Sequence, residues 1–167
     1  MRALLVMDMQ EAMLGKNRNK KNTYKADNLI KSINNEIGKF DKANVIYVKT
    51  VNKDNFINKI LSKNMTKSSP ATALVEKLNV VNREIIEKEN KDVFGNKNFE
   101  NMLKKAKIDE LQIVGVDTCG SIFNSVISGL KKGFKVVLNK NLVDTNNKNK
   151  ATKLYKKMQN KGAKILN

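Results

Sequence analysis

The chain has no histidine in its 167 residues. That absence removes the commonest general base and the commonest transition-metal ligand in one step. Any catalysis must then rest on carboxylate, lysine, hydroxyl or thiol groups. Cysteine occurs once, at Cys119, so no internal disulfide can form, and a reducing cytoplasm is the expected compartment. Long apolar runs are missing as well. Ala3 to Met7 and Ile113 to Val116 are strand-sized and too short to span a bilayer. The first of them leads directly into Asp8, which is not the pattern of a signal peptide.

Acidic residues are scarce, 16 against 33 basic ones, which leaves a formal charge of +17. Such a chain attracts polyanions without needing a dedicated surface. Arginine, the residue that makes bidentate base and phosphate contacts, occurs only as Arg2, Arg18 and Arg83. The lysines are spread over the whole length and mixed with asparagine, as in GKNRNKKN (Gly15 to Asn22) and TNNKNK (Thr145 to Lys150). No nucleic-acid signature accompanies them, so no specific nucleic-acid partner and no membrane partner are expected.

What is present is an alternation of two periodicities. RALLVM (Arg2 to Met7) suits a strand buried on both faces, and NVIYVKT (Asn44 to Thr50) is a second, β-branched strand. Between them, Leu29, Ile30, Ile33 and Ile37 fall at helical spacing and predict a helix over Tyr24 to Phe40. Phe56, Ile57, Ile60 and Leu61 suggest one or two helical turns, and Pro70 introduces a short helix toward Leu78. Further strands are predicted at Arg83 to Glu87, Glu110 to Val116, Phe134 to Asn139 and Lys164 to Leu166. Helices are predicted at Asn98 to Lys107, Ser121 to Lys132 and Asn149 to Lys161. The expected fold is one α/β domain over residues 1–167, a three-layer, Rossmann-like α-β-α arrangement around a mostly parallel sheet.

Ligands of open parallel sheets bind at the carboxyl ends of the strands. Asp8, Lys88 and the turn carrying Cys119 and Ser121 all follow predicted strands. Each has an ordinary structural reading: an acid or a serine capping a helix, one lysine among many. Their shared placement at strand ends makes them the candidate site.

These residues sit in segments that resemble the isochorismatase-like hydrolases, the cysteine hydrolase superfamily. LLVMDMQ (Leu4 to Gln10) is similar to the family's apolar strand running into Asp-x-Gln. IIEKENKDVF (Ile85 to Phe94) matches a lysine followed six residues later by phenylalanine, at Lys88 and Phe94, with Lys91 a poorer match. Aligning Gly115, Thr118 and Gly133 without a gap puts Ser121, not Cys119, where the family has its cysteine. The resemblance implies Asp8 as proton acceptor, Lys88 as its partner and a nucleophile at 121 or 119. It also implies an oxyanion hole from the backbone N–H groups of Asp117 and Ser121, with a cis Val116–Asp117 bond. Phe94, Met9 or Met13 and Thr118 would contact a small-molecule substrate, and a homo-oligomer is expected. The family's metal-binding nicotinamidases use an aspartate and histidines after the second strand. YVKTVNKDNF (Tyr47 to Phe56) offers only Asp54 there, so no metal and no organic cofactor are expected.

A serine hydroxyl is far less acidic than a thiol and is poorly matched to a carboxylate base, which leaves three outcomes beside attack by Ser121 itself. Cys119, whose thiol is much the easier group to ionise with a reference pKa of about 8.5, replaces the missing thiol. Alternatively Asp8 acts as a general acid on a vinyl ether and no nucleophile is needed. In the third, the site persists as a small-molecule binding module.

Overall fold

In the computed structural model, which describes residues 1–16, 18–53 and 65–167, the two predicted periodicities resolve into a six-stranded sheet flanked by helices. Strand β1 (Arg2–Met7) is buried on both faces because every residue after Arg2 is apolar. Ala3, Leu5 and Met7 join one core cluster; Leu4 and Val6 join the other. That split is the period-two alternation of a strand between two helical layers.

Strands β2 (Val45–Thr50) and β4 (Glu110–Gly115) flank β1. Strands β3 (Ile85–Lys88), β5 (Lys135–Val143) and β6 (Lys164–Leu166) complete the order β3-β2-β1-β4-β5-β6, with every pairing parallel. The connection reverses direction between β1 and β4, which opens a crevice at their carboxyl ends. Met7 pairs with Gly115 at that point. Gly115 has φ of +115°, and a Cβ there would lie 2.1 Å from the Met7 carbonyl oxygen, so only glycine fits.

Helix α2 (Ala26–Ile37) buries Leu29, Ile30, Ile33 and Ile37 against the sheet. It starts later than its apolar pattern suggests because Tyr24 and Lys25 are held elsewhere, on Asp117 and Asp144. Residues after Pro70 form only a 3-10 turn (Pro70–Thr72) rather than a helix. The following chain runs alongside the segment after β1, with the Val75 N–H on the Met9 carbonyl at 2.9 Å. Helix α1 (Glu11–Leu14) is a single turn, and α3 (Lys97–Lys105) and α5 (Lys148–Asn160) match their predicted positions to within two residues. The helix predicted from Ser121 starts two residues later: residues 118–122 form a wide turn closed by the Ile122 N–H on the Asp117 carbonyl at 3.2 Å, and α4 (Phe123–Lys131) follows. Such wide turns recur at functional sites. The helical turns suggested at Phe56, Ile57, Ile60 and Leu61 lie outside the described residues. Among the described residues no helix is long and apolar enough to cross a membrane.

Candidate active site

Asp8 leaves β1 in the left-handed region, φ +52°, a conformation that aspartate tolerates better than most residues. Its N–H still reaches the Val48 carbonyl at 2.8 Å, so the turn is anchored while the carboxylate is directed inward. That carboxylate is fully buried and doubly bonded. Oδ1 accepts from the Thr50 hydroxyl at 2.9 Å, and Oδ2 accepts from Lys88 Nζ at 3.0 Å. Lys88, at the end of β3, is 3% exposed. Its ammonium has three hydrogens and three acceptors: Asp8, the Thr50 hydroxyl and the Ser121 hydroxyl at 3.1 Å. A charge pair this buried is tolerable only because each remaining donor and acceptor is satisfied.

Gln10, the second polar residue of the Asp-x-Gln segment, holds this arrangement in place. Its side chain accepts from Thr50 N–H at 2.8 Å and donates to the carbonyls of Thr50 (3.0 Å) and Thr72 (2.9 Å). Thr50, the residue that touches both members of the ion pair, is thereby fixed from its backbone. Sequence reasoning missed Thr50, although its place at the carboxyl end of β2 was the available signal.

A cavity of about 420 Å³ opens above the pair. Thr50 and Ser121 form its floor, with Met13, Tyr24, Asp117 and Cys119 among its walls and Glu89, Asn90 and Lys91 toward the rim. The volume suits a small molecule. Among the described residues a larger depression of about 780 Å³ lies beyond Tyr24, but none of Asp8, Lys88 and Ser121 lines it. Asp8 and Lys88 themselves do not line the smaller cavity either; they reach it through Thr50 and Ser121.

The two neighbouring nucleophile candidates are separated by the wide turn. Ser121 faces Lys88, whereas the Cys119 thiol donates to the Asn147 carbonyl at 3.4 Å. The Cys119 N–H is held by the Asp117 carboxylate at 2.6 Å. The Val116–Asp117 peptide is cis.

The residues expected to contact substrate are placed differently, and here the structure corrects the sequence reading. Phe94 packs edge-on against Phe99, centroids 5.1 Å apart, and beside Phe134 at 5.7 Å, so its ring completes the core. Met9 is fully buried in the opposite core cluster. Thr118 is fully buried, with N–H and hydroxyl both on the Asp144 carbonyl at 3.0 Å. None of the three lines the cavity; of the methionines named, only Met13 does.

Comparison with known proteins places the chain in a family. No curated protein matches the chain. Among solved structures, an isochorismatase-like hydrolase from Alkaliphilus metalliredigens superposes with a TM-score of 0.83 at 15% identity, covering 99% of this chain and 93% of that one. A pyrazinamidase of Pyrococcus horikoshii in complex with zinc gives 0.82 at 22% identity, covering 99% and 98%. An N-carbamoylsarcosine amidase from Thermoplasma acidophilum gives 0.81 at 16%, covering 99% and 95%. At these identities the superpositions establish the shared three-layer fold. The isochorismatase domain model matches residues 2–167, and the chain therefore belongs to the isochorismatase family.

Proposed function

We propose that the chain is a hydrolase of small amide-type substrates in which Ser121 attacks the carbonyl and Asp8 and Lys88 manage its proton. The observation carrying this reading is the Lys88 ammonium, bonded at once to the buried Asp8 carboxylate and to two hydroxyls that line the cavity, Thr50, whose own proton is given to Asp8, and Ser121. Lys88 passes a proton to Asp8 across 3.0 Å and takes the Ser121 hydroxyl proton across 3.1 Å. The net result is a neutral Asp8, a restored ammonium and a serine oxyanion that the ammonium stabilises. The oxyanion adds to the substrate carbonyl, and the resulting negative oxygen faces the N–H groups of Asp117 and Ser121. Return of the proton to the amide nitrogen releases the amine, and water then cleaves the acyl-serine.

This reading takes amide hydrolysis from the names of structural neighbours, an amidase and a pyrazinamidase. It is preferred to direct protonation of a vinyl ether because both Asp8 oxygens are engaged and the group is fully buried. The zinc of the Pyrococcus protein suggests a metal, and the donor set here does not fit one. The sequence has no histidine, no group of three possible ligands occurs among the described residues, and Asp54 lies outside them. We therefore propose a metal-independent site.

The test is ammonia or amine release from a panel of small carboxamides and carbamoyl compounds. Release by the wild-type chain that disappears in both Asp8→Asn and Ser121→Ala supports the reading. Ether hydrolysis that survives Ser121→Ala but needs Asp8 replaces it with the nucleophile-free mechanism. If the chain binds these compounds with thermal stabilisation but never turns over, the site is a binding module.

A further inference from the structure

Three carboxylates surround the nucleophile turn, and they are not equivalent. Asp8 is neutralised by Lys88 and Asp144 by Lys148. Asp117, half-buried in the cavity wall, has no cation within ion-pair reach among the described residues. Its oxygens accept from Tyr24 Oη at 3.1 Å, from Thr145 Oγ1 at 3.1 and 3.0 Å, from the Asn146 N–H at 3.2 Å and from the Cys119 N–H at 2.6 Å. All of these donors are neutral. They fill the carboxylate's acceptor positions and leave its full negative charge in place.

Two features bear on what such a wall attracts. Tyr24 senses the charge directly: burial, then the Asp117 carboxylate beside it, push its phenol well above the ordinary value, with Asp144 and Asp8 adding in the same direction. At the rim, Glu89 is paired with Lys53 at 3.5 Å, and Lys91 is exposed. A solvated ammonium is screened within about 8 Å at physiological salt, whereas a half-buried charge is screened less. Of the charged residues that line the cavity, Asp117 is thus the least screened, although the chain as a whole is strongly basic.

We infer that Asp117 determines specificity: the substrate is a small carboxamide whose non-reacting part bears a diffuse positive charge, such as an N-alkylated pyridinium or a tertiary or quaternary ammonium, lodged beside Tyr24 and Asp117. A diffuse cation fits better than a primary ammonium because Asp117 has no acceptor position left for a strong donor, while Met13 and Tyr24 offer apolar surface. This inference rests on the cavity being the substrate site.

The test is calorimetric binding of three ring carboxamides of similar size to the intact chain: 1-methylpyridinium-3-carboxamide, neutral pyridine-3-carboxamide and anionic 3-carbamoylbenzoate. The cation is expected to bind about tenfold more tightly than the neutral ring, as one partly screened charge allows, and the anion least tightly. Asp117→Asn should bring cation and neutral ring to comparable affinity, and added salt should narrow the wild-type difference. Equal affinities, no binding of the cation at millimolar concentration, or a preference unchanged in Asp117→Asn would overturn the inference. If that variant does not fold, a wild-type preference indifferent to salt overturns it. Ammonia release is followed in parallel. Charge preference without release counts against the hydrolase reading alone, and release without charge preference counts against the role of Asp117 alone.

Discussion

Lys88 is the residue on which the stability of the site and its proposed chemistry converge. Its substitution by methionine keeps the volume but leaves the fully buried Asp8 charge unpaired. A loss of about 3–5 kcal/mol is expected, read from the urea midpoint, together with loss of turnover; a loss below about 1 kcal/mol would mean that the pair is solvated and the geometry wrong. Gln10→Leu removes partners from the Thr50 N–H and from two carbonyls at once. At about 1–3 kcal/mol for each buried group left unsatisfied, a loss of about 3 kcal/mol is expected, again measurable by urea unfolding. Asp8, Lys88 and Ser121 were legible in the sequence because each is anchored to a strand end or its turn. Phe94, Met9 and Thr118 were not, since a motif fixes which residue follows a strand and not which way its side chain turns. Tyr24 and the Asp117 side chain were invisible for a similar reason: their partners are 93 residues apart in the chain.

Among the elements, the connection from β5 to α5 holds the turn at residues 118–122. Asp144 accepts from Lys25 N–H at 2.8 Å and Thr145 N–H at 2.7 Å and pairs with Lys148, while its carbonyl takes both Thr118 donors. Burial alone would raise the Asp144 carboxyl, but the Lys148 ammonium and the two N–H groups outweigh it and hold it below 3.8. A carboxyl lowered in the folded state contributes stability above its unfolded value and loses it as pH falls through the folded one. The melting temperature should therefore drop as pH falls below 3.8, and Asp144→Asn should flatten that acid limb; identical acid limbs would contradict the assignment. The same connection shows where periodicity misled. The strand predicted to end at Asn139 instead runs on to Val143 through a register shift opposite Gly115. Helix α2 and strands β1, β2 and β4 were readable because their apolar residues face a core; the residues after Pro70 were not, since they are fixed by β1's exit and not by their own pattern.

For the molecule as a whole, a charge of +17 and a site whose central pair is neutral make two kinds of binding separable. Association with a polyanion such as heparin should weaken steeply with salt and be indifferent to Asp8→Asn, as fluorescence titration would show. An Asp8-dependent polyanion affinity would instead tie the basic surface to the cavity. The all-parallel order of the sheet brings the exits of β1, β3 and β4 to one edge, which is why residues 80 and 33 positions apart meet at a single ammonium. The most direct test of that convergence is the initial rate of amide hydrolysis after the thiol is moved, in Cys119→Ser/Ser121→Cys. If position 121 is the nucleophile, the moved thiol should raise the rate at least about tenfold, as expected of a more readily ionised attacking group. A rate abolished by Cys119→Ser alone and not restored in the double variant would contradict the account.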